Sequence, residues 1–310
     1  MKGVVINSTL LRDIDAGIQT NFNRAFGKVP SIYKKLCMIV PSVTAENVYA
    51  WLASLPAITE KTSEIIKTRL QMLGNSVVNK EFAGIVEVPR NAIEDDQYGV
   101  FSPVAAMWGQ RAGQAPDLEL IKWLKSTFTT AKAYTGKTFF ATDHKAHGKA
   151  IAFSNKGTKK LSADNFEAAY ASLRNREDAA GVPLFTLLDP QQVYLVVCAG
   201  DESLADRIVK MAKLADGGDN PNFNKAQVLV LPGLQPAVGT DRPWFLLDCG
   251  GEVKPIIYQN RVDFELTANM DLKSDKVFSE DIFSWKARGR FAIAGGLPEF
   301  AYGSTGADAA

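Results

Sequence analysis

Asp143, His144 and His147 are the residues whose types and spacing come nearest to chemistry. Two imidazoles and a carboxylate are a donor set that holds iron or zinc, and a hydrolase built on them would activate a bound water. The spacing argues against it. The histidines stand three apart in a polar loop, not four apart on one helix face, and the chain has only 2 of them. A metal-dependent hydrolase using Asp143, His144 and His147 is the weaker alternative, and neither a metal nor a cofactor is expected. Gly136-Lys137-Thr138 ends like a phosphate-binding loop, but the upstream glycine that motif requires falls on Ala131. Glu94-Asp95-Asp96 could act as acid and base, yet they precede a helix, where negative charge favours the helix's positive end. Asp201 and Glu202 stand in the same relation to another helix. A G-x-S-x-G elbow is absent, and Gly217-Gly218 interrupt the oxygen ligands a calcium loop would need between Asp216 and Asn224. No catalytic residue is assigned.

The elements that would position such groups read more clearly. Ser102 to Ala131 is the longest helical pattern, with Ser102 as cap and Pro103 at the first helical position. Ala105, Trp108, Ala112, Ala115, Leu118, Ile121, Leu124, Phe128 and Ala131 form its apolar face, and Pro116 should kink it. Continuous, it would span roughly 45 Å and serve as a spine. Gly109 and Gly113 either admit a neighbouring backbone or leave a packing gap. Before the spine, Leu11, Ile14, Ile18, Phe22 and Phe26 make one stripe of an amphipathic helix from Ser8 to Phe26. Leu36 to Val40 suits a buried strand. Thr44 to Ile93 reads as a long projecting hairpin, with arms Val48 to Leu55 and Val77 to Ile93, a polar tip, and a return turn at Gly74-Asn75.

After the spine, Leu161 to Ala180 is a helix capped by Ser162, with Leu161 set to touch Phe166 as a hydrophobic staple. Val193 to Cys198, a helix from Asp201 to Ala215 and Gln227 to Leu231 then form a strand–helix–strand lobe. Trp244 to Leu247, Ile256 to Gln259, Phe264 to Thr267 and Phe283 to Ile293 read as strands returning to the spine, with a break at Gly289. The tail, GSTGADAA, is small and polar and is expected to be disordered.

The totals narrow the function classes. The 310 residues are 46% hydrophobic and 22% charged, as in a globular chain with ample core. With 35 basic against 34 acidic residues, nothing pulls the chain towards nucleic acid or an anionic membrane. The 3 scattered cysteines read as buried, reduced thiols. No apolar run reaches the length that crosses a membrane, and the start is not a signal peptide.

The strings VEVPRNAIEDDQYGVFSP (86–103), FFATDH (139–144), PWFLLDCGGEVKPIIYQNR (243–261), KSDKVF (273–278) and KARGRFAIAGGLPEFAYGS (286–304) occur in order. Together they resemble the major head subunit of Mu-like phages and prophages, from about Asn21 to Ser304. The resemblance implies an α+β chain with the Hong Kong 97-type capsid fold. Its parts would be an N-terminal arm (1–43), an E-loop hairpin (44–95), a peripheral domain with the spine helix (96–136), an axial domain (137–234), and peripheral return strands with a disordered tail (235–310). It implies self-assembly into hexamers and pentamers of an icosahedral head that encloses DNA without sequence-specific binding. A separate scaffold protein, a maturation protease and a portal are implied as partners, and no membrane. Subunit contacts are expected at Lys61, Ile65, Ile66, Arg69 and Leu70 on the hairpin tip, and at Phe22 and Phe26 on the arm. The tip, TEKTSEIIKTRLQM (59–72), lacks the family's Arg-Glu-Trp string. A nanocompartment shell of the same fold, loaded with protein cargo, is the other alternative.

Overall fold

The computed structural model describes residues 8–52, 72–95, 98–145, 152–177, 183–184, 187–214, 216–235 and 241–308. Its first half runs α1 (Ser8–Gly27), α2 (Tyr33–Leu36), β1 (Cys37–Pro41), β2 (Glu46–Leu52), β3 (Met72–Val78), β4 (Lys80–Pro89), α3 (Arg90–Glu94) and α4 (Tyr98–Ser126). The second half runs β5 (Lys156–Gly157), α5 (Ala163–Arg174), β6 (Val193–Val197), α6 (Glu202–Val209), β7 (Gln227–Val230), β8 (Trp244–Asp248), β9 (Ile256–Asn269), α7 (Asp275–Glu280), β10 (Ile282–Gly295) and β11 (Ala301–Ser304).

The spine is α4, and α1 lies along it. Leu11, Ile14, Ile18 and Phe22 are buried as their spacing predicts, with Phe22 edge-on to Trp108 of α4. The glycines explain how closely the helices meet. A Cβ on Gly109 would stand 2.3 Å from the Phe22 carbonyl oxygen, and one on Gly113 2.8 Å from a Val29 methyl. Both are therefore close-approach positions, not packing gaps. The spine also differs from expectation. It starts at Tyr98, so Pro103 lies inside it, and Ser102 accepts a bond from Asn21 of α1 instead of capping. Beyond Pro116 the buried face rotates: Leu118 is exposed, whereas Leu120 and Leu124 are fully buried. There α4 leaves α1 and meets Phe139, Phe140 and Phe245. Asp117, at the changeover, accepts the backbone N–H groups of Tyr33 (2.8 Å) and Ile32 (3.2 Å), fixing the start of α2 on the spine.

A four-stranded sheet in the order β1-β9-β10-β4 packs on α1 and α4. β9 and β10 are each 14 residues long, so the two predicted strands 256–259 and 264–267 are one, and Gly289 marks a register shift and not a break. β2 and β3 form a separate two-stranded antiparallel ribbon from Glu46↔Val78 to Leu52↔Met72. The predicted hairpin is thus divided: its second arm becomes β3 plus β4, and β4 joins the main sheet beside β10. Gly74 and Asn75 lie within β3 and not at a turn.

The second sheet, β5-β11-β8-β6-β7, carries α5 and α6 over its own core of Phe166, Leu173, Leu195, Val197 and Trp244. Ser162 caps α5 by accepting the Asn165 N–H at 3.1 Å, as predicted, but α5 ends at Arg174 and α6 at Val209, well short of the expected lengths. β8 belongs to this second sheet, and its Phe245 and Leu247 share one core with Leu120 and Leu124 of the spine. One assignment for the end of the chain is corrected. The tail is not disordered up to Asp308: β11 pairs with β8 and β5, Ser304 is fully buried, and Asp308 bonds to Lys160. Small residues there are what a tightly packed inner strand requires, since a Cβ on Gly303 would meet Phe140 at 2.8 Å.

Candidate assembly surfaces and the polar junctions beneath them

Where the β2–β3 ribbon leaves the main sheet, the polar side chains are buried and neutral. Gln259 of β9 is fully buried; its amide donates to Asn79 Oδ1 at 2.8 Å and to the Val77 carbonyl at 3.2 Å, and its oxygen accepts the Tyr49 hydroxyl at 2.8 Å. Asn79 in turn donates to Ser42 Oγ (3.0 Å) and the Thr44 carbonyl (2.9 Å). Val77 packs on Ala292 and Ala294 beside them. An isolated two-stranded ribbon is marginal in water. This node therefore holds the ribbon's root to the sheet.

A second buried polar group lies where the two sheets meet. Glu299, between β10 and β11, accepts the Tyr134 hydroxyl. Arg176, just past α5, donates to the Ser154 carbonyl and stands 4.8 Å over the Phe153 ring. Arg176 Nε and Glu299 Oε2 are both buried and, among the described residues, lack a hydrogen-bond partner. Burial holds the Glu299 carboxyl above the usual range and pulls the Arg176 guanidinium down to about 10, while their mutual attraction opposes both shifts. Asn155 binds the Phe139 and Pro298 carbonyls, tying the loop after α4 to the same place.

His144 belongs to this structural group. It is fully buried, bonded to Thr135 Oγ1 (2.7 Å) and the Phe139 carbonyl (3.1 Å), and stacked on Phe153. Burial lowers its pKa, so it is neutral at pH 7. Asp143 faces solvent and pairs with Lys137, and His147 lies outside the described residues. Among the described residues no three His, Cys, Asp or Glu side chains gather as metal ligands. Asp95 is exposed, and Asp201 is held by Arg242 at 2.7 Å. Cys37, Cys198 and Cys249 are buried free thiols; burial raises Cys37 strongly and Cys249 to about 12.

The expected contact residues fare unevenly. Lys61, Ile65, Ile66, Arg69 and Leu70 lie outside the described residues. Phe22 is fully buried within its own chain, against Trp108 and Phe26, so in the single subunit it serves the core of α1 and α4. Phe26 is half-buried near Phe264. Sequence reasoning missed the outward face of the main sheet. There Arg288 of β10 bonds Glu81 of β4 at 2.8 Å and reaches Glu265 of β9 at 3.5 Å, and Ile85 is exposed beside them. Period-two alternation in β4 and β10 was the available signal.

A family model described as Mu-like prophage major head subunit gpT matches residues 11–160 and 235–308, well over half of the sequence. The chain belongs to that family. Among curated relatives of the head-subunit family, the Mu-like prophage FluMu major head subunit of Haemophilus influenzae is 28% identical, over 97% of this chain and 75% of that one. The major capsid protein of Escherichia phage Mu is 24% identical, over 96% and 74%. The procapsid subunit of bacteriophage JBD30 superposes with a TM-score of 0.60 at 24% identity, over 97% of this chain and 76% of that one. The fold is that of the Hong Kong 97-type phage capsid. The internal stretch 161–234, containing α5, β6, α6 and β7, falls outside the family model, as do residues 1–10 and 309–310.

Proposed function

We propose that this protein is the major capsid subunit of a Mu-like phage head, self-assembling through hexamers and pentamers into an icosahedral shell. The observation that carries this reading is the family match on both sides of the second sheet, on a chain with the capsid fold throughout. The work of such a protein is mechanical: neighbours must cover surfaces that one subunit leaves in water. The β2–β3 ribbon supports that role, because among the described residues it leaves the sheet as a two-stranded ribbon. We assign the arm to residues 1–43, the hairpin to 44–95, the spine region to 96–136 and the axial part to 137–234. β8 and β11 complete the axial sheet from the last segment. Lys61, Ile65, Ile66, Arg69 and Leu70 would make the hairpin's contacts with a neighbour. The shell would enclose DNA by volume and not by a basic groove, in keeping with a net charge of +1. Synthesis in the host cytoplasm, a scaffold protein, a maturation protease and a portal complete the reading. A hydrolase is not favoured, since His144 is locked in a structural network.

Replacing residues 53–71 by a tight turn tests the hairpin. The expected product is a folded, soluble subunit that no longer closes shells. Normal shells from that variant would remove the hairpin from the account.

A further inference from the structure

The net charge of +1 conceals an asymmetry between the two sides of the main sheet. α1 and α4 each bury one side on that sheet: Leu11, Ile14 and Ala105 share a core with Trp285, and Phe22 and Ala112 share one with Ala287. Their exposed stripes therefore look the same way, away from the sheet. On α4 the exposed positions include Met107, Arg111, Gln114, Leu118, Lys122 and Lys125, recurring at three and four. On α1 they include Arg12, Ala16, Thr20 and Arg24, four apart, and Lys28 follows directly after the helix. Among the described residues of the two helices, Asp13 is the one exposed carboxylate. Asp15 accepts the Trp285 and Gln19 side chains, Asp117 accepts backbone N–H groups of α2, and Glu119 is buried.

The bases on this side also keep different company. On the other face of the sheet charges are interleaved, with Arg288 paired to Glu81 and Glu265, and Lys276 to Glu87. On the helical side Lys122 shares Glu119 with Lys80. Arg12, Arg24, Lys28, Arg111 and Lys125 have no ion-pair partner among the described residues, and Arg24 donates to the neutral Asn21. Unpaired charge of one sign on one side attracts a polyanion even when the whole chain is nearly neutral. Arg111 to Lys125 covers about 20 Å of α4, a length over which duplex DNA carries roughly twelve phosphates.

We propose that the helical side binds the phosphates of duplex DNA through Arg24, Lys28, Arg111, Lys122 and Lys125, and that it faces the interior of the shell. The interior placement rests on the capsid reading; the DNA contact does not. The bases stand on an open helical face and not in a groove, so the contact is weak, salt-dependent and blind to sequence. DNA fits this face better than an acidic partner helix. The exposed apolar residues Met107 and Leu118 are separated along the stripe by Arg111 and Gln114, and make no continuous seam for such a helix.

The test uses the full chain, as free subunits and as closed shells, with a labelled duplex of about 30 base pairs followed by fluorescence anisotropy. R24Q/R111Q/K125Q should keep the wild-type melting midpoint, because all three side chains are exposed. As free subunits it should bind the duplex at least tenfold more weakly than wild type at low salt. The slope of log affinity against log salt should shrink by about 2–3, close to one unit per lost phosphate contact. K137Q/K213Q/K276Q removes the same charge from bases that have carboxylate partners, and should change affinity less than about twofold. Wild-type shells should leave added duplex free, since the face is enclosed. Equal losses from the two triple variants, or poly-glutamate bound more tightly than the duplex, would overturn the DNA contact. Shells that bind added duplex as tightly as subunits do would overturn the interior placement. A wild-type chain that forms no shells would contradict the capsid reading, and the subunit titrations would still decide the DNA contact.

Discussion

The ribbon root and the sheet junction do similar work with different chemistry. At the root, Gln259, Asn79, Tyr49 and Ser42 are neutral and bonded to one another or to backbone. At the junction, Glu299, Arg176, Tyr134 and His144 are ionisable, and two buried atoms lack partners among the described residues. A neutral node keeps its strength at any ordinary pH. A charged one with open valences makes its strength conditional, because buried charge is costly unless fully paired. The ribbon's attachment should therefore be constant, and the coupling of the two sheets adjustable.

Gln259→Leu should have the largest effect. It leaves the Asn79 oxygen and the Val77 carbonyl buried without the donor they share. At about 1–3 kcal/mol per stranded group, the loss should reach roughly 3 kcal/mol or more, and it should be the same at pH 5 and pH 8. Denaturant titration at both values checks this. A loss that varies strongly with pH would erase the distinction between the two nodes.

Glu299→Gln sharpens the other side. The folded carboxyl binds its proton more tightly than the unfolded one, so native stability should fall as pH rises above the ordinary value of 4.5 towards the folded value. One such group changes stability by at most about 1.4 kcal/mol per pH unit inside that window. The variant should flatten that limb, and a limb of unchanged slope would show that another group controls it.

His144→Gln should act with the opposite sign and a smaller amplitude. Burial lowers the folded pKa, so the contribution of neutral His144 is present above 6.5 and is lost as pH falls through the lower folded value. Removing the imidazole should soften acid unfolding while leaving stability above pH 7 reduced only by the lost stacking on Phe153. Acid midpoints followed by circular dichroism would show it.

How far the sequence discloses these features depends on range. The α1 stripe and the Ser162 cap are local or periodic and were legible, whereas Gly109 and Gly113 stayed open between close approach and packing gap until Phe22 and Val29 were placed beside them. The spine's face was legible beyond Pro116 too, at Ile121, Leu124 and Phe128, and failed at Leu118, which is exposed where the second half meets a different partner. The tail looked disordered by composition, yet those small residues are the ones a crowded inner strand admits. Neither polar node leaves a pattern: Tyr49 and Gln259 are 210 residues apart, and Tyr134 and Glu299 are 165 apart. The assembly itself was carried by strings resembling a family, since no single stretch encodes a partner.

Electron microscopy of the purified chain, alone and with salt or crowding agent to promote association, tests the central claim most directly. The account predicts closed, uniform shells built of hexameric and pentameric units. Monodisperse small oligomers under every condition, with no curved sheets or shells, would contradict it.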